Sequence, residues 1–426
     1  LLCKVLKEVE KTIKRVVLVA VSPRLDDKAF DSLNELENLC QTIDFEVVEK
    51  IVQRRDKPDP ATYLGFGKLE KLKVFCKENN VDALVFNDEI SPIQQRNTEE
   101  FLELEVLDRT QVILEIFSQH ATTHEGKLQV EMAKLTYELP RLRGKGLYLS
   151  NPGAGIGTRG PGEKLLELDK RKIKERISSL KKELLKIKKE RENIRKTRLE
   201  SGYRLVSIVG YTNAGKSTLL KKLSDEKSIL VSEKLFSTLS PKVRRVKFPN
   251  GRAYLFSDTV GFIDKLPHTL IEAFHSTLEE VLYADLILLL VDASDGYFND
   301  KIKASYNVLS EIGVTDKEIM LVFNKIDIVP ESRLEIIRYE YPKAIFISAK
   351  NGIGLDVLYS RISGYFQFVD SHIRLRLRQS EFGKVLRYAE LINYDTLNAN
   401  GEFIDVDLSG PIEVLEKIKS SISAEK

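Results

Sequence analysis

Apolar and polar positions change period several times along the chain, and the changes divide it. Arg15-Val16-Val17-Leu18-Val19-Ala20-Val21 has the continuous apolar character of a buried strand, whereas Phe30, Leu33, Leu36 and Leu39 or Cys40 recur at helical spacing over Lys28 to Cys40. Phe45 to Val52 reads as a second strand and stops at the breaker Asp56-Lys57-Pro58-Asp59-Pro60. Lys68 to Glu78 is helical, and Asp82-Ala83-Leu84-Val85-Phe86 is a third strand. Strands separated by helices predict a small parallel α/β domain over residues 1–105.

The period then turns helical over residues 106–200. Leu128, Met132, Leu135 and Leu139 mark one helix, which Pro140 is expected to end. Leu166, Ile173, Ile177, Leu180, Leu184, Ile187 and Ile194 form an a/d seam in a second helix. The pattern predicts an antiparallel helical hairpin, with a self-associating coiled coil as the alternative. Between the helices, residues 151–162 hold five glycines and two prolines and cannot stay helical. With Arg141, Arg143, Lys145 and Arg159 around it, this loop reads either as backbone and cations laid against phosphates or as a flexible connector.

Residues 201–368 alternate strand and helix again, and residues 369–426 form a small α/β piece. In that piece Ile373, Leu375 and Leu377 alternate with Arg374, Arg376 and Arg378, a strand with one basic face, followed by helix, strand (Phe403 to Leu408) and helix (Pro411 to Ile422) signals.

A chain of 426 residues exceeds one core. Its 42% hydrophobic and 31% charged residues exclude a largely disordered protein. The apolar run Leu286 to Val291 falls far short of the ~20 residues of a membrane span. Val16 to Val21 is too short for a secretory core and no small-residue cleavage pattern follows it. Three scattered cysteines, Cys3, Cys40 and Cys76, suggest a reducing compartment, so the expected location is the cytoplasm. The net charge of +3 hides an asymmetry: Arg141 to Glu200 carries 19 Lys/Arg against 8 Asp/Glu. That excess points to a polyanionic partner or to a solvated helix face.

The chemistry concentrates after residue 205. Leu205-Val206-Ser207-Ile208-Val209 is a buried strand that runs into Gly210-Tyr211-Thr212-Asn213-Ala214-Gly215-Lys216-Ser217 and then a helix opening with Thr218. This is a P-loop in its strand–loop–helix setting: glycines let the backbone wrap phosphates, and the helix N-terminus offers free N–H groups. Lys216 is expected at the β- and γ-phosphates and the Ser217 hydroxyl on Mg²⁺. A later strand ends in Asn324-Lys325-Ile326-Asp327, where the Asp327 carboxylate accepts the two donors of a guanine edge that adenine lacks. Ser348-Ala349-Lys350 follows a further strand and caps the base by backbone contact. Asp258-Thr259-Val260-Gly261 supplies a second Mg²⁺ carboxylate in Asp258 and a γ-phosphate-sensing amide in Gly261. Thr238 lies in a polar stretch suited to a switch that closes on Mg²⁺, and Pro249-Asn250-Gly251 makes a tight turn between the strands that separate the two switches. Together these segments predict a Ras-like GTPase in which Lys216, Thr238 and Gly261 act on the terminal phosphate.

Two positions depart from a Ras-like site. Position 262, where a glutamine would orient water, is Phe262, which predicts slow intrinsic hydrolysis accelerated by a partner. Asn213 has two readings: a ligand of a potassium ion, as in several translation-associated GTPases, or a local loop hydrogen bond. His120 and His124 share a helix face in this reading, but no third metal ligand accompanies them.

Beyond the nucleotide motifs, Asp258-Thr259-Val260-Gly261-Phe262-Ile263, Leu266-Pro267-His268 and Glu272-Ala273-Phe274 resemble the signature of HflX-type GTPases. Ser91-Pro92 with Gln94-Gln95-Arg96-Asn97, Asp108-Arg109-Thr110, Glu125 to Glu131 and Gly157 to Glu163 resemble that family's N-terminal motifs. Lys164-Leu165 departs from the family's usual Thr-Gln, and Ala154 replaces a loop glycine. The resemblance implies a translation-factor-related GTPase that binds GTP or GDP and associates with the large ribosomal subunit and its rRNA. Its N-terminal domain and glycine-rich loop would reach RNA, and the chain is expected to be monomeric. Two rivals remain at this point: a signalling or scaffold GTPase whose hairpin binds a protein, and an ATP-driven RNA remodeller.

Overall fold

The computed structural model describes residues 13–23, 27–142, 161–224, 242–259, 261–263, 280–400 and 402–423. Its contacts divide the chain into two units, residues 1–183 with 264–273 and residues 184–263 with 274–426. The first unit opens with β1 (Arg15–Ser22), α1 (Asp27–Thr42), β2 (Glu46–Arg54), α2 (Phe66–Glu78), β3 (Ala83–Phe86), α3 (Pro92–Leu102), β4 (Glu105–Asp108) and α4 (Arg109–His120). The strands lie in the order β2-β1-β3-β4, every pair parallel. One face buries Val17, Val19, Leu84, Phe86 and Val106 against Leu69, Leu72 and Cys76 of α2, the double-sided burial that makes such strands read as apolar runs. The expected domain limit at residue 105 falls at the first residue of β4, a strand of this same sheet, so the sheet runs past it. Helix α3 starts on a capping box of Ser91 and Gln94 with Pro92 at its first position, and α4 starts on a second box, Asp108 with Gln111.

Helix α5 (His124–Arg141) corrects two expectations. Its buried positions include Gly126, Val130, Ala133 and Tyr137, whereas Met132, Leu135 and Leu139 of the expected stripe are half-buried. Leu128 of that stripe is buried as expected, and the buried face also takes in Gln129 and Tyr137; α4 packs against α5. Pro140 sits inside the last turn without ending the helix before Arg141. Helix α6 (Pro161–Ser201) runs for 41 residues and starts at the proline of the glycine-rich motif. Arg176 on α6 grips Glu131 of α5 through two bonds of 2.7 and 2.8 Å. Among its seam positions in the first unit, Ile173 and Ile177 are half-buried and Leu180 is buried.

The second unit contains β5 (Leu205–Gly210), α7 (Lys216–Ser224), β6 (Lys242–Lys247), β7 (Ala253–Asp258), β8 (Leu286–Asp292), α8 (Phe298–Glu311), β9 (Ile319–Asn324), α9 (Glu331–Glu340), β10 (Ile345–Phe346) and α10 (Leu355–Val369). The sheet order is β10-β9-β8-β5-β7-β6, and only the pairing of β6 with β7 is antiparallel. Leu286, Leu288 and Leu290 face α7 and α10, while Ile287, Leu289 and Val291 face α8 and α9. The run Leu286 to Val291 is apolar because helices cover both faces of a central strand. The turn at Pro249-Asn250-Gly251 stands where the sequence places it, with Gly251 at φ +85°.

A three-stranded antiparallel sheet completes this unit: β11 (Ser371–Arg378), β12 (Asn393–Asn400) and β13 (Phe403–Gly410) in the order β11-β13-β12, with α11 (Phe382–Leu386) and α12 (Ile412–Ser423). The basic face of β11 is exposed, and Arg374 and Arg376 stand 3.9 and 3.8 Å from Asp407 and Asp405 on β13. Among the described residues no helix is long and apolar enough to cross a membrane.

Candidate nucleotide site

The parallel strands of the second unit end together, and the chemistry-bearing residues gather at those ends. β5 stops at Gly210, the loop bends through Asn213 in the left-handed region at φ +62°, and α7 begins at Lys216. Asparagine tolerates that conformation better than most residues, which is itself a reason for its presence. Gly215 is required twice over: its φ is +95°, and an added Cβ would lie 2.2 Å from Asn324 Nδ2. Ala214 is buried in the core, and Thr218 follows Ser217 in the first turn of α7.

Lys216 is buried and donates from Nζ to the carbonyls of Gly210 and Tyr211 at 3.0 and 2.7 Å. Burial lowers its pKa to about 8, and the nearby Asp258 charge pulls in the opposite direction. The Ser217 hydroxyl donates to Asp258 Oδ2 at 2.7 Å. A hydroxyl and a carboxylate brought together at the foot of a phosphate loop are hard oxygen donors of the kind Mg²⁺ takes, so the residues present fit that ion. Gly261 stands so close to this loop that a Cβ would meet Lys216 Nζ at 2.9 Å and the Thr212 backbone at 3.0 Å. Thr238 lies outside the described residues, as do Val260, the signature residues 264–279 and the loop residues 151–160.

Two bonds tie Gly261's neighbour to the phosphate loop. The Phe262 N–H donates to the Gly210 carbonyl at 3.0 Å, and the Thr212 N–H donates to the Phe262 carbonyl at 2.8 Å. The Phe262 side chain is buried in the same core cluster as Tyr211 and Val209. Sequence reading found that Phe262 cannot hold water; it missed that the residue is a strut of the loop.

At the base end, Asn324 works as a latch. Its Nδ2 donates to the Ala214 carbonyl at 2.8 Å and its Oδ1 accepts the Ala349 N–H at 2.9 Å, so one buried amide joins the phosphate loop to the 348–350 loop. Lys325 follows in the left-handed region at φ +64° and pairs with Asp292 at 2.7 Å. Asp292 was not singled out from sequence, although it ends β8 opposite Asn324 in register. Asp327 is exposed in the short 3₁₀ turn Ile326–Ile328, its carboxylate open to a ligand edge. Ser348 is buried and its hydroxyl accepts the Asn351 N–H at 3.2 Å, which shapes the turn that carries Ala349 and the exposed Lys350.

His120 and His124 do not share a helix: His120 ends α4 and His124 begins α5. Ala121 breaks the helical path between them, and among the described residues no cluster of side chains could hold a metal by histidine, cysteine and carboxylate alone.

Comparison with known proteins gives the family. Three family models match in succession: a GTP-binding GTPase N-terminal region over residues 30–118, a GTP-binding GTPase middle region over 120–198, and a 50S ribosome-binding GTPase over 205–325. The chain is 44% identical to GTPase HflX of Lacrimispora saccharolytica over 403 residues, 94% of each chain. It is 38% identical to GTPase HflX of Escherichia coli over 339 residues, 79% of each chain. A GTP-binding protein of Sulfolobus solfataricus solved with GDP aligns with 83% of this chain and 98% of its own, at 25% identity and a TM-score of 0.44.

Proposed function

The chain belongs to the HflX family of GTPases, and from that premise we propose that it associates with the large ribosomal subunit under control of the bound nucleotide. GTP orders the segments around Thr238 and Gly261, this sets the affinity of the basic helices and N-terminal domain for rRNA, and hydrolysis releases the protein. The observation that carries the reading is the Asn324 latch, which joins the phosphate loop to the loop expected over the base. The nucleotide is thereby read at both ends by one connected structure.

Each residue has a role in this reading. Gly210, Asn213, Ala214, Gly215 and Thr218 wrap the phosphates with backbone, and Lys216 neutralises them. Ser217 and Asp258, with Thr238, would hold Mg²⁺, which would supply charge stabilisation to the phosphates. Asn324 and Lys325 shape the base site, Asp327 selects guanine, and Ser348, Ala349 and Lys350 cap it. Because the Phe262 side chain is committed to the core, no glutamine orients water at that position, and intrinsic hydrolysis is slow until a partner completes the site. A potassium ion at Asn213 would supply part of the missing charge; equal turnover in Na⁺ and K⁺ buffers would exclude it. The excess of Lys and Arg in residues 141–200 supports an RNA partner, and the protein acts as a monomer in the cytoplasm.

Sedimentation with purified 50S particles tests the proposal. Binding is expected with GTP or a non-hydrolysable analogue, weak with GDP, and steeply reduced by salt because phosphate contacts release counterions. Binding indifferent to nucleotide would sink it, and salt-insensitive binding to a protein would favour the scaffold reading. Asp327→Ala should lose GTP-dependent binding; retained activity driven by ATP would favour the remodeller.

A further inference from the structure

In the sequence, the β6–β7 hairpin joins the segment holding Thr238 to the segment holding Gly261. Its outer end is fastened to residues beyond the six-stranded sheet. Arg252, 1% exposed, places Nη1 2.5 Å from Asp370 Oδ2, and Asp370, 0% exposed, follows the end of α10. The other Asp370 oxygen accepts Arg204 Nη2 at 3.0 Å, and Arg204 Nη1 reaches Asp285 at 3.2 Å. The Ala253 N–H donates to the Glu390 carbonyl at 2.6 Å. The Glu390 carboxylate pairs with Arg245 of β6 and stands 3.8 Å from Lys247. Aromatic rings close the joint: Tyr254 stacks on Phe366 at 5.1 Å and Phe248 meets Tyr359 edge-on at 4.7 Å.

This joint and the metal-site carboxylate are the two ends of one strand. Ala253, the first residue of β7, is bonded to Glu390, and Asp258, its last, accepts the Ser217 hydroxyl. β7 is paired on both sides and almost wholly buried, so it shifts as a rod rather than bending. Burying Arg252 and Asp370 is costly compared with apolar packing of the same volume, and removing Asp370 would leave the Arg252 charge buried and uncompensated.

We propose that Asp370 and Glu390 are positioning residues of the nucleotide site: Asp370 through Arg252, and the Glu390 carboxylate through Arg245 and Lys247, hold the outer end of the β6–β7 hairpin and thereby the Asp258 carboxylate on which metal and nucleotide retention depend. The proposal rests on Asp258 being a metal-site residue, and a separate control tests that.

The experiment follows release of a fluorescent GDP from the full chain, with Mg²⁺ and again after chelation. Glu390→Ala removes a partly exposed side chain and should leave the fold intact. Release in Mg²⁺ should quicken on the order of fivefold, the ratio of one contact-scale coupling, while release without the metal should match the parent chain. Unchanged release in Mg²⁺ overturns the proposal, and so does equal acceleration in both conditions, which would mean general loosening. Asp370→Asn should show the same split more strongly; if it does not fold, Glu390→Ala decides alone. Glu390→Ala keeps the carbonyl that accepts the Ala253 N–H but frees Arg245 and Lys247 of β6. In the nucleotide-free protein the amides of the β6–β7 hairpin around Arg245 and Ala253 should therefore exchange faster, and unchanged exchange there also counts against the joint. Asp258→Ala serves as the control: its release should be insensitive to chelation, and a persistent metal effect would show the metal assignment to be wrong while leaving the exchange result at Ala253 to stand for the joint.

Discussion

The four-stranded parallel sheet and the mainly parallel six-stranded sheet present opposite surfaces at the carboxyl ends of their parallel strands. In the six-stranded sheet the end of β5 runs into a backbone loop, Gly210 to Gly215, and Lys216 is folded back onto two of its carbonyls. In the four-stranded sheet the ends of β3 and β4 are closed by side chains bonded to one another. Asp108 accepts from the Tyr137 hydroxyl at 2.6 Å and the Ile90 N–H at 3.2 Å, with Arg141 at 3.4 Å. Arg109 spans Glu35 at 2.7 Å and Asn87 at 3.1 Å, and Tyr63 pairs with Asp88. The same winding therefore serves anion binding in one case and the anchoring of α5 in the other. What distinguishes them is whether the strand ends carry a backbone loop with one lysine or side chains bonded to their own neighbours.

Removing Lys216 should break the first half of this contrast with the largest effect. Lys216→Ala is expected to slow phosphate release at saturating GTP on the order of a thousandfold, with no loss in the unfolding midpoint of the nucleotide-free chain. Near-normal turnover would mean that the loop backbone suffices. Asp108→Ala addresses the second half. Loss of a buried carboxylate facing Arg141 should cost about 3 kcal/mol in denaturant unfolding of the first unit, and a change within noise would show the cluster to be ornamental.

A smaller effect, set by pH, sharpens the contrast. Burial brings Lys216 from 10.5 to about 8. Below pH 8 the native and unfolded chains both carry the ammonium, and the native state bears its full burial cost. Between pH 8 and 10.5 the unfolded chain binds more protons, so this group adds stability as pH rises. Phosphates favour the charged form, so nucleotide binding should take up a proton above pH 8, and affinity should fall by up to about tenfold per pH unit there. Titration calorimetry near pH 9 in buffers of different ionisation heat checks this; no proton uptake would mean the ammonium never discharges.

Legibility followed the physics of burial. Leu286 to Val291 and Arg15 to Val21 were readable because double-sided burial writes an unbroken apolar run. β12, Asn393-Tyr394-Asp395-Thr396-Leu397-Asn398-Ala399-Asn400, was not, because it consists mostly of residues that strands avoid and is held in place by pairing with β13. α3 escaped although Ser91, Pro92 and Gln94 spell its start. In the candidate nucleotide site the motif residues are picked out by local sequence, whereas Asp292 and the double duty of Asn324 depend on which strands neighbour one another. Asp370 and Arg252 are a pair only in the folded sheet, and nothing local in either segment marks them.

Phe262 carries one more consequence. Since its backbone is laced to Gly210 and Thr212 and its ring belongs to the core, a glutamine introduced there would carry its amide into oil rather than toward water. Grafting a Ras-type hydrolytic residue onto this scaffold is thus not a single-codon repair, and any faster variant would have to recruit its helper from a different address in the chain.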